Sequence, residues 1–372
     1  MPSNQPVNRA AWLPFRKAPN LEFKTAPYTA APDNGLVINN HAVAINPIDW
    51  LIQQKGDIMF GWLKYPAILG SDVAGEVVEV GNNVKCFQVG DRVLGFCLGK
   101  DEKVNSSAES AFQNYTVLQS DLTSHIPSSM PYENAAVIPL GLSTAAAGLF
   151  QDDQLSLQYP SVPPNPTGKT LLVWGGSTSV GCNAIQLGVA AGYEVFATSS
   201  PMNFDYLKAL GASKVFDYNS KSVIQDIIAA FKGKKAAGAL AIGTGGAEAC
   251  MRILDKTGGH KFVTMATYPV PQKAPQSLIL LRTVWFFVSW IIIYKLNGMI
   301  KGIKSNFIFG SSIAHNPVGK AIYVDFLPKA LETGAFVPAP EPLIAGQGIE
   351  SIETAFGIQQ KGVSAKKVVV TI

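Results

Sequence analysis

Leu171-Leu-Val-Trp-Gly-Gly-Ser-Thr-Ser-Val-Gly181 decides how this chain is read. Its apolar start, its Gly-rich middle and the helical stretch Val180–Ala191 that follows predict a buried strand, a tight turn and a helix N-terminus. Such a junction gathers backbone N–H groups and the positive end of a helix dipole at one point, a seat for pyrophosphate. Against the dinucleotide fingerprint, Gly176 and Gly181 stand at the first and third glycine positions, with Thr178 at the middle one. Gly-rich turns also occur in plain α/β packing, but a place after a strand and before a helix favours the dinucleotide.

Strand and helix alternate from there on. Strands are expected at Thr170–Trp174, Tyr193–Thr198, Lys214–Tyr218, Gly238–Ile242 and His260–Thr264. Helices are expected at Val180–Ala191, Asn203–Leu210, Ser222–Phe231 and Ala247–Leu254. This is the pattern of βαβ units and a parallel, doubly wound sheet. Thr167-Gly-Lys-Thr170 imitates the end of a P-loop, but Pro163 stands where its first glycine belongs, and it precedes a strand, so a nucleoside triphosphatase is excluded. An acid at the end of the second strand would bind the ribose 2′-hydroxyl of NAD and repel a 2′-phosphate. That strand instead ends Ala197-Thr-Ser-Ser-Pro-Met-Asn203, where Ser199, Ser200 and Asn203 offer neutral donors and Lys208 lies one helical turn on. Ser200 with Pro201 is equally a good helix start, and the two readings are compatible. NADP is the expected cofactor.

Toward the N-terminus the texture changes. Leu36–Trp50 alternates like a strand and ends at Pro47, while Tyr65–Gly81, Val89–Phe96 and Ala111–Leu118 are short, Val-rich and Gly-bounded, as in a small β-barrel. From Pro131 an Ala-rich run reads as helix, and the chain closes with the strand Lys366–Ile372, which needs a partner. The expected division is a β-barrel domain over residues 1–130 and 320–372, with a dinucleotide-binding domain over residues 131–319.

The chain has 372 residues, 47% of them hydrophobic, and 30 basic against 26 acidic side chains for a net charge of +4. No basic block suggests nucleic acid; Lys232, Lys234 and Lys235 read as a solvated helix end. Cys86, Cys97, Cys182 and Cys250 form no CxxC pair or disulfide framework, and Met1–Phe23 has no signal-peptide core, so a cytoplasmic protein is expected. Val284–Ile293 is apolar but too short for a membrane span, which needs about 20 residues. It reads as a buried helix core, a wall of a greasy substrate channel or a subunit contact. In the channel reading, Trp285 and Trp290 favour an aromatic or long-chain alkyl substrate.

Several motifs together resemble the medium-chain dehydrogenase/reductase superfamily along nearly the whole chain. They are Asn46-Pro-Ile-Asp49, Pro66–Gly81, Val89-Gly-Asp-Arg-Val93, Asn183–Gly188 after the glycine turn, Leu210-Gly-Ala212 and Gly362–Val370. The chain looks most like the zinc-free branch that holds fungal trans-acting enoyl reductases and quinone reductases. The resemblance implies a GroES-like β-barrel domain interrupted by a Rossmann domain. Zinc-dependent members carry Gly-His-Glu where this chain has Gly70-Ser71-Asp72, and a Cys ligand where it has Asn46. With His41 and His125 outside any ligand spacing, no metal site is expected.

What the resemblance implies is hydride delivery to an activated C=C bond, with a quinone reductase or a non-catalytic, cofactor-bound partner of a synthase as alternatives. By the same resemblance, Asn46, Pro47, Ile48 and Asp49 approach the nicotinamide, and Ser143 and Thr144 lie beside nicotinamide and substrate, or else only cap a helix. Ser177, Thr178, Ser179 and Val180 hold the pyrophosphate and Tyr218 the adenosine end. Ala241 and Ile242 run beneath the ribose, Val363 and Ser364 close over the cofactor, and Met265, Ala266 and Thr267 line the substrate cleft. Some relatives place a Tyr acid after the Asn-Pro-x-Asp motif; Asp57–Trp62 has none, which leaves the proton to solvent. Relatives include monomers and dimers, so a homodimer and a synthase both stand as partners.

Overall fold

The computed structural model describes residues 6–56, 60–267 and 298–372, together with Trp285, Tyr294 and Leu296. It divides into two compact units, Met1–Ser143 with Ala314–Ile372, and Thr144–Ile313. In chain order the first part holds β1 (Asn8–Leu13), β2 (Glu22–Ala26), β3 (Gly35–Ala44), α1 (Pro47–Lys55), β4 (Ala67–Ile68), β5 (Asp72–Val80), β6 (Arg92–Phe96), β7 (Tyr115–Gln119), β8 (Thr123–His125) and α2 (Tyr132–Ala135). α3 (Pro139–Phe150) contains the first division. The second unit continues with β9 (Lys169–Trp174), α4 (Ser179–Ala190), β10 (Glu194–Ser199), α5 (Phe204–Ala209), β11 (Lys214–Asp217), α6 (Val223–Ala230), β12 (Lys235–Ala241), α7 (Gly246–Lys256), β13 (Gly258–Gly259), β14 (Phe262–Met265) and β15 (Lys304–Phe307). β16 (Glu341–Gln347) and β17 (Lys366–Thr371) belong again to the first unit.

The first unit is rich in β-strands, as expected. One sheet runs β16-β17-β3-β5-β6-β8, with β7 also paired to β3, and a smaller one runs β2-β1-β4. β3 is buried along most of its length, apolar at both ends and interrupted by Asn39-Asn40-His41, and Ala44 lies opposite Asp72 of β5 in the antiparallel register. Leu36, Ile38, Val43, Val73, Val77, Val93, Val368 and Val370 form the apolar centre. The C-terminal strand finds its partners in β3 and β16.

Several expectations for this region are corrected. The Leu36–Trp50 run does not stay extended: the strand stops at Ala44 and Pro47 opens a helix. Pro47 cannot donate to a sheet ladder, and its fixed φ suits a first helical position. Asp49 in the first turn accepts from the Asn46 backbone N–H at 2.9 Å, which closes that turn. β1 and β2 lie in the stretch before Leu36, where no strand is expected from the sequence. The first division falls at 143 rather than 130, because α2 packs on β3 and β5. The Tyr132 ring stacks on His41 at 4.4 Å and lies 4.3 Å from the Arg92 guanidinium carbon. The second falls at 313 rather than 319.

The second unit is Rossmann-like. Its parallel sheet runs β11-β10-β9-β12-β14-β15, a doubly wound order whose direction reverses between β9 and β12. Leu172, Phe196, Ala239 and Val263 from its strands pack with Ile253 and Leu254 of α7. Because the strands are parallel, the C-terminal ends of β9, β10 and β12 share one edge, and it is at such a reversal along that edge that these sheets bind nucleotides.

Candidate functional site

In the second unit the turn after β9 is shaped by absent side chains. Gly175 has φ +86°, a left-handed value that an L side chain rarely adopts. A Cβ on Gly181 would stand 2.2 Å from the Gly175 carbonyl oxygen, so only glycine lets α4 start this close to β9. Thr178, which occupies the middle glycine position of the fingerprint, is the N-cap of α4. Its Oγ1 accepts from the Gly181 N–H at 3.0 Å and donates to the Gly175 carbonyl at 2.8 Å. In the first turn of α4, Ser179 Oγ is a buried hydroxyl with no hydrogen-bond partner among the described residues. A glycine cradle, a helix N-terminus and an orphaned hydroxyl fit the phosphates of a nicotinamide dinucleotide. Ser177 and Val180 are half-buried beside them.

At the end of β10 there is no carboxylate. Ser199 is buried and donates to the Ser200 carbonyl at 3.0 Å, and Asn203 Nδ2 donates to Ser200 Oγ at 3.3 Å. Tyr218 is exposed, and its backbone N–H donates to the Ser199 carbonyl at 3.4 Å. Asp217, in register beside Ser199, is engaged by Asn219 of its own loop. Lys208 is exposed and paired with Asp205 at 3.3 Å. Ala241 is buried at the end of β12, and the Ile242 N–H donates to the Trp174 carbonyl at 3.0 Å.

Of the residues expected to line a substrate cleft, Met265 is corrected. It is the last residue of β14, and its side chain lies in the apolar core with Trp174 and Ala241. Ala266 and Thr267, half-buried past the strand end, remain candidates, and Thr267 Oγ1 accepts from the Gly243 N–H at 2.9 Å. Trp285 is 73% exposed. Trp290 and the rest of Val284–Ile293 lie outside the described residues.

The first unit holds a buried charge cluster around Asn46. Asn46 Nδ2 donates to Asp72 Oδ2 at 2.8 Å, and its Oδ1 accepts from Lys367 Nζ. Lys367 Nζ also lies 2.8 Å from Asp72 Oδ2, with side chains 5% and 0% exposed. Asp72 Oδ1 takes the Leu140 backbone N–H at 2.6 Å, a donor of the first turn of α3 that has no intrahelical partner. The second pair is Lys100 Nζ with Asp49 Oδ1 at 3.0 Å, side chains 8% and 0% exposed, and Lys100 Nζ also donates to Ser71 Oγ at 2.7 Å. Buried charges persist when paired and hydrogen-bonded throughout, as these are. Cys97 lies close by: burial, then the Asp72 charge, push its thiol well above the usual range.

Ser143 is fully buried, and its hydroxyl lies 2.8 Å from that of Tyr323 in the π-helical stretch Ala321–Phe326. Tyr323 donates its one proton to the Pro139 carbonyl at 2.8 Å, so Ser143 is the donor in their shared bond. Burial, then the Asp72 charge against the opposing Ser143 hydrogen bond, holds the Tyr323 phenol well above its ordinary pKa. Thr144 falls in the second unit and is half-buried. Pro47 is exposed and Ile48 half-buried on the first unit's core, as is Val363, while Ser364 is exposed.

Lys100, Lys367, Ser71 and Tyr323 were not among the sequence candidates. One signal stood in plain view: Lys367 directly precedes Val368-Val-Val370, inside a strand that must be buried.

Residues 32–128 match the family model of the alcohol dehydrogenase GroES-like domain. The chain is 67% identical to the dehydrogenase pigH of Monascus ruber, over 99% of this chain and 100% of that one. It is 35% identical to the trans-enoyl reductase himH of Aspergillus japonicus, over 98% of each chain. Among solved structures it superposes on CurK enoyl reductase with a TM-score of 0.72 at 19% identity, covering 98% of this chain and 99% of that one, a likeness of fold. No described helix is long and apolar enough to cross a membrane.

Proposed function

This chain belongs to the medium-chain dehydrogenase/reductase superfamily, and on that premise we propose that it is an NADPH-dependent, metal-independent reductase of activated C=C bonds. It is an oxidoreductase of a family that works on small molecules with a nicotinamide cofactor. The finer reading assigns it an α,β-unsaturated carbonyl or enoyl thioester as substrate, an apolar one, in fungal secondary metabolism. The observation that carries the reading is the glycine cradle of α4 joined to a β10 end that lacks an acid. The kinship with a trans-enoyl reductase supports the choice of acceptor.

Bound at that cradle, reduced nicotinamide supplies hydride to an acceptor that is already electrophilic. The chain's own residues bind and orient. Gly175, Gly181 and the α4 N-terminus receive the pyrophosphate, with Ser179 Oγ as an added donor. Ser200 Oγ and Asn203 face a 2′-phosphate as neutral donors, where a carboxylate would repel it. Asn46 and Asp49 fix the start of α1 and act by position, since their polar atoms are committed to charged partners and to the turn itself. Ser143, held as a donor to Tyr323, has lone pairs to offer and no free proton. The proton that completes the reduction comes from solvent in this reading. For metal independence, the support is the chemistry of the donor set: the oxygens of Asn46 and Asp72 already hold an ammonium group.

The test follows cofactor consumption by chelator-treated protein with enones, enoyl thioesters and quinones. Turnover with NADPH on enones or enoyl thioesters is the expected result. Preference for NADH would refute the 2′-phosphate assignment. Turnover on quinones alone would make it a quinone reductase, and tight binding without turnover a non-catalytic partner.

A further inference from the structure

We propose that Lys100 and Lys367 are positioning residues whose ammonium groups serve the first unit as built-in cations. The argument starts from the donor set. Two carboxylates, an amide oxygen and a hydroxyl lie in two adjoining buried seats, Asp72 with Asn46 and Asp49 with Ser71, joined through Asn46. Oxygen groups of this kind are what hard cations take as ligands. Left alone, two fully buried carboxylates would be driven to protonate or to admit water. Here each is met by a lysine from a distant part of the chain. Lys367 Nζ closes on Asp72 Oδ2 and Asn46 Oδ1, and Lys100 Nζ on Asp49 Oδ1 and Ser71 Oγ.

What these contacts hold is specific. With Lys367 in place, the Asn46 amide has a single orientation, oxygen to the ammonium and nitrogen to Asp72. Asp72 is thereby held in place on Oδ2 while its Oδ1 receives the Leu140 N–H at the start of α3. With Lys100 on its Oδ1, Asp49 is held so that its Oδ2 receives the Asn46 N–H at the start of α1. Two helix starts and the ends of β3, β5 and β17 therefore depend on two positive charges, and a metal ion entering the cluster would have to expel them. The inference deepens the metal-independent part of the proposed function by naming what does the cation's work.

The test compares Lys367→Met, which keeps bulk and loses charge, with Lys367→Ala, which leaves room for an added amine. Both are measured on the full chain for melting temperature and for NADPH turnover. Lys367→Met is expected to lower the melting temperature by about 10 °C, the scale of a buried carboxylate left unpaired. For Lys367→Ala, methylammonium chloride should recover stability and turnover, whereas tetramethylammonium chloride at equal ionic strength, too bulky for the seat, should not. A Lys367→Met protein as stable and active as the parent would overturn the proposal, and so would equal recovery with both salts. If Lys367→Met fails to fold, the double variant Lys367→Met with Asp72→Asn decides. Recovery of a folded protein on removing both charges supports the proposal, and no recovery assigns the lysine to packing and overturns it. Metal analysis of the parent keeps the two readings apart. Bound zinc with loss of turnover on chelation would sink metal independence, whereas a metal-free active parent with an unaffected Lys367→Met would sink this inference alone.

Discussion

The glycine turn of the second unit and the charge cluster of the first are both built to hold something in place, by opposite means. The turn works by omission: Gly175 and Gly181 leave the space, and backbone N–H groups with the unpartnered Ser179 hydroxyl line it. The cluster works by saturation, since its oxygens all meet a cation or an N–H and leave little to offer a ligand. A site that must accept and release a charged molecule keeps its donors unsatisfied, whereas one that must never move commits them.

The largest effect that would break this contrast is at the turn. Gly181→Val should abolish nicotinamide binding in a fluorescence titration, because its Cβ alone would sit 2.2 Å from the Gly175 oxygen. Binding within a few-fold of the parent would show that the cradle does not hold the cofactor. In the cluster, Asp49→Asn strands the Lys100 charge, which has 8% side-chain exposure. A loss of about 3–5 kcal/mol in denaturant unfolding is expected, and a loss below about 1 kcal/mol would class the pair with surface salt bridges. Tyr323→Phe leaves the Pro139 carbonyl and Ser143 without their shared partner and should cost about 1–3 kcal/mol by the same measurement; an unchanged midpoint would dissolve that link. Ser200→Asp sharpens the turn's side of the comparison: NADPH should bind about tenfold more weakly, about 1.4 kcal/mol, with NADH spared. Equal weakening of both would place the 2′-phosphate elsewhere.

The smallest effect concerns the thiols. Burial pushes Cys182 up to about 12 and raises Cys97 and Cys250 as well, while Cys86 is exposed. A thiol reagent near neutral pH should therefore label Cys86 alone in the native chain. Because the folded pKa of Cys182 exceeds its ordinary 9.0, its contribution to stability is complete below pH 9 and is lost as the pH climbs toward about 12. A denaturation midpoint that rose over that window would contradict the assignment.

The two regions also differ in how far the amino-acid sequence reveals them. The turn lies within Leu171–Gly181, so its glycines, its strand and its helix could be read together, and the alternation after it told the parallel sheet. Thr178 shows why the fingerprint was incomplete: a capping hydroxyl does local work where a glycine was expected. The cluster is scattered from Asn46 to Lys367, 321 positions apart, and nothing local ties a lysine to its acid. Asn46 and Asp49 stand in a motif, but Lys367 reaches Asn46 through the register of β17 against β3 and Lys100 reaches Asp49 from the loop after β6. Met265 went astray for a related reason, since strand position alone does not tell whether a last residue faces the core or the edge. α1 was hidden by an extended-looking run whose proline begins a helix as readily as it ends a strand.

The central claim, hydride delivery to an activated double bond without a metal, is tested most directly by isotope transfer. Chelator-treated protein is given an enoyl thioester and NADPH deuterated at the nicotinamide C4, and the product is examined by mass spectrometry and NMR. The account predicts deuterium on the β-carbon of a saturated thioester. Deuterium on a carbonyl carbon, or transfer only after a metal is restored, would contradict it.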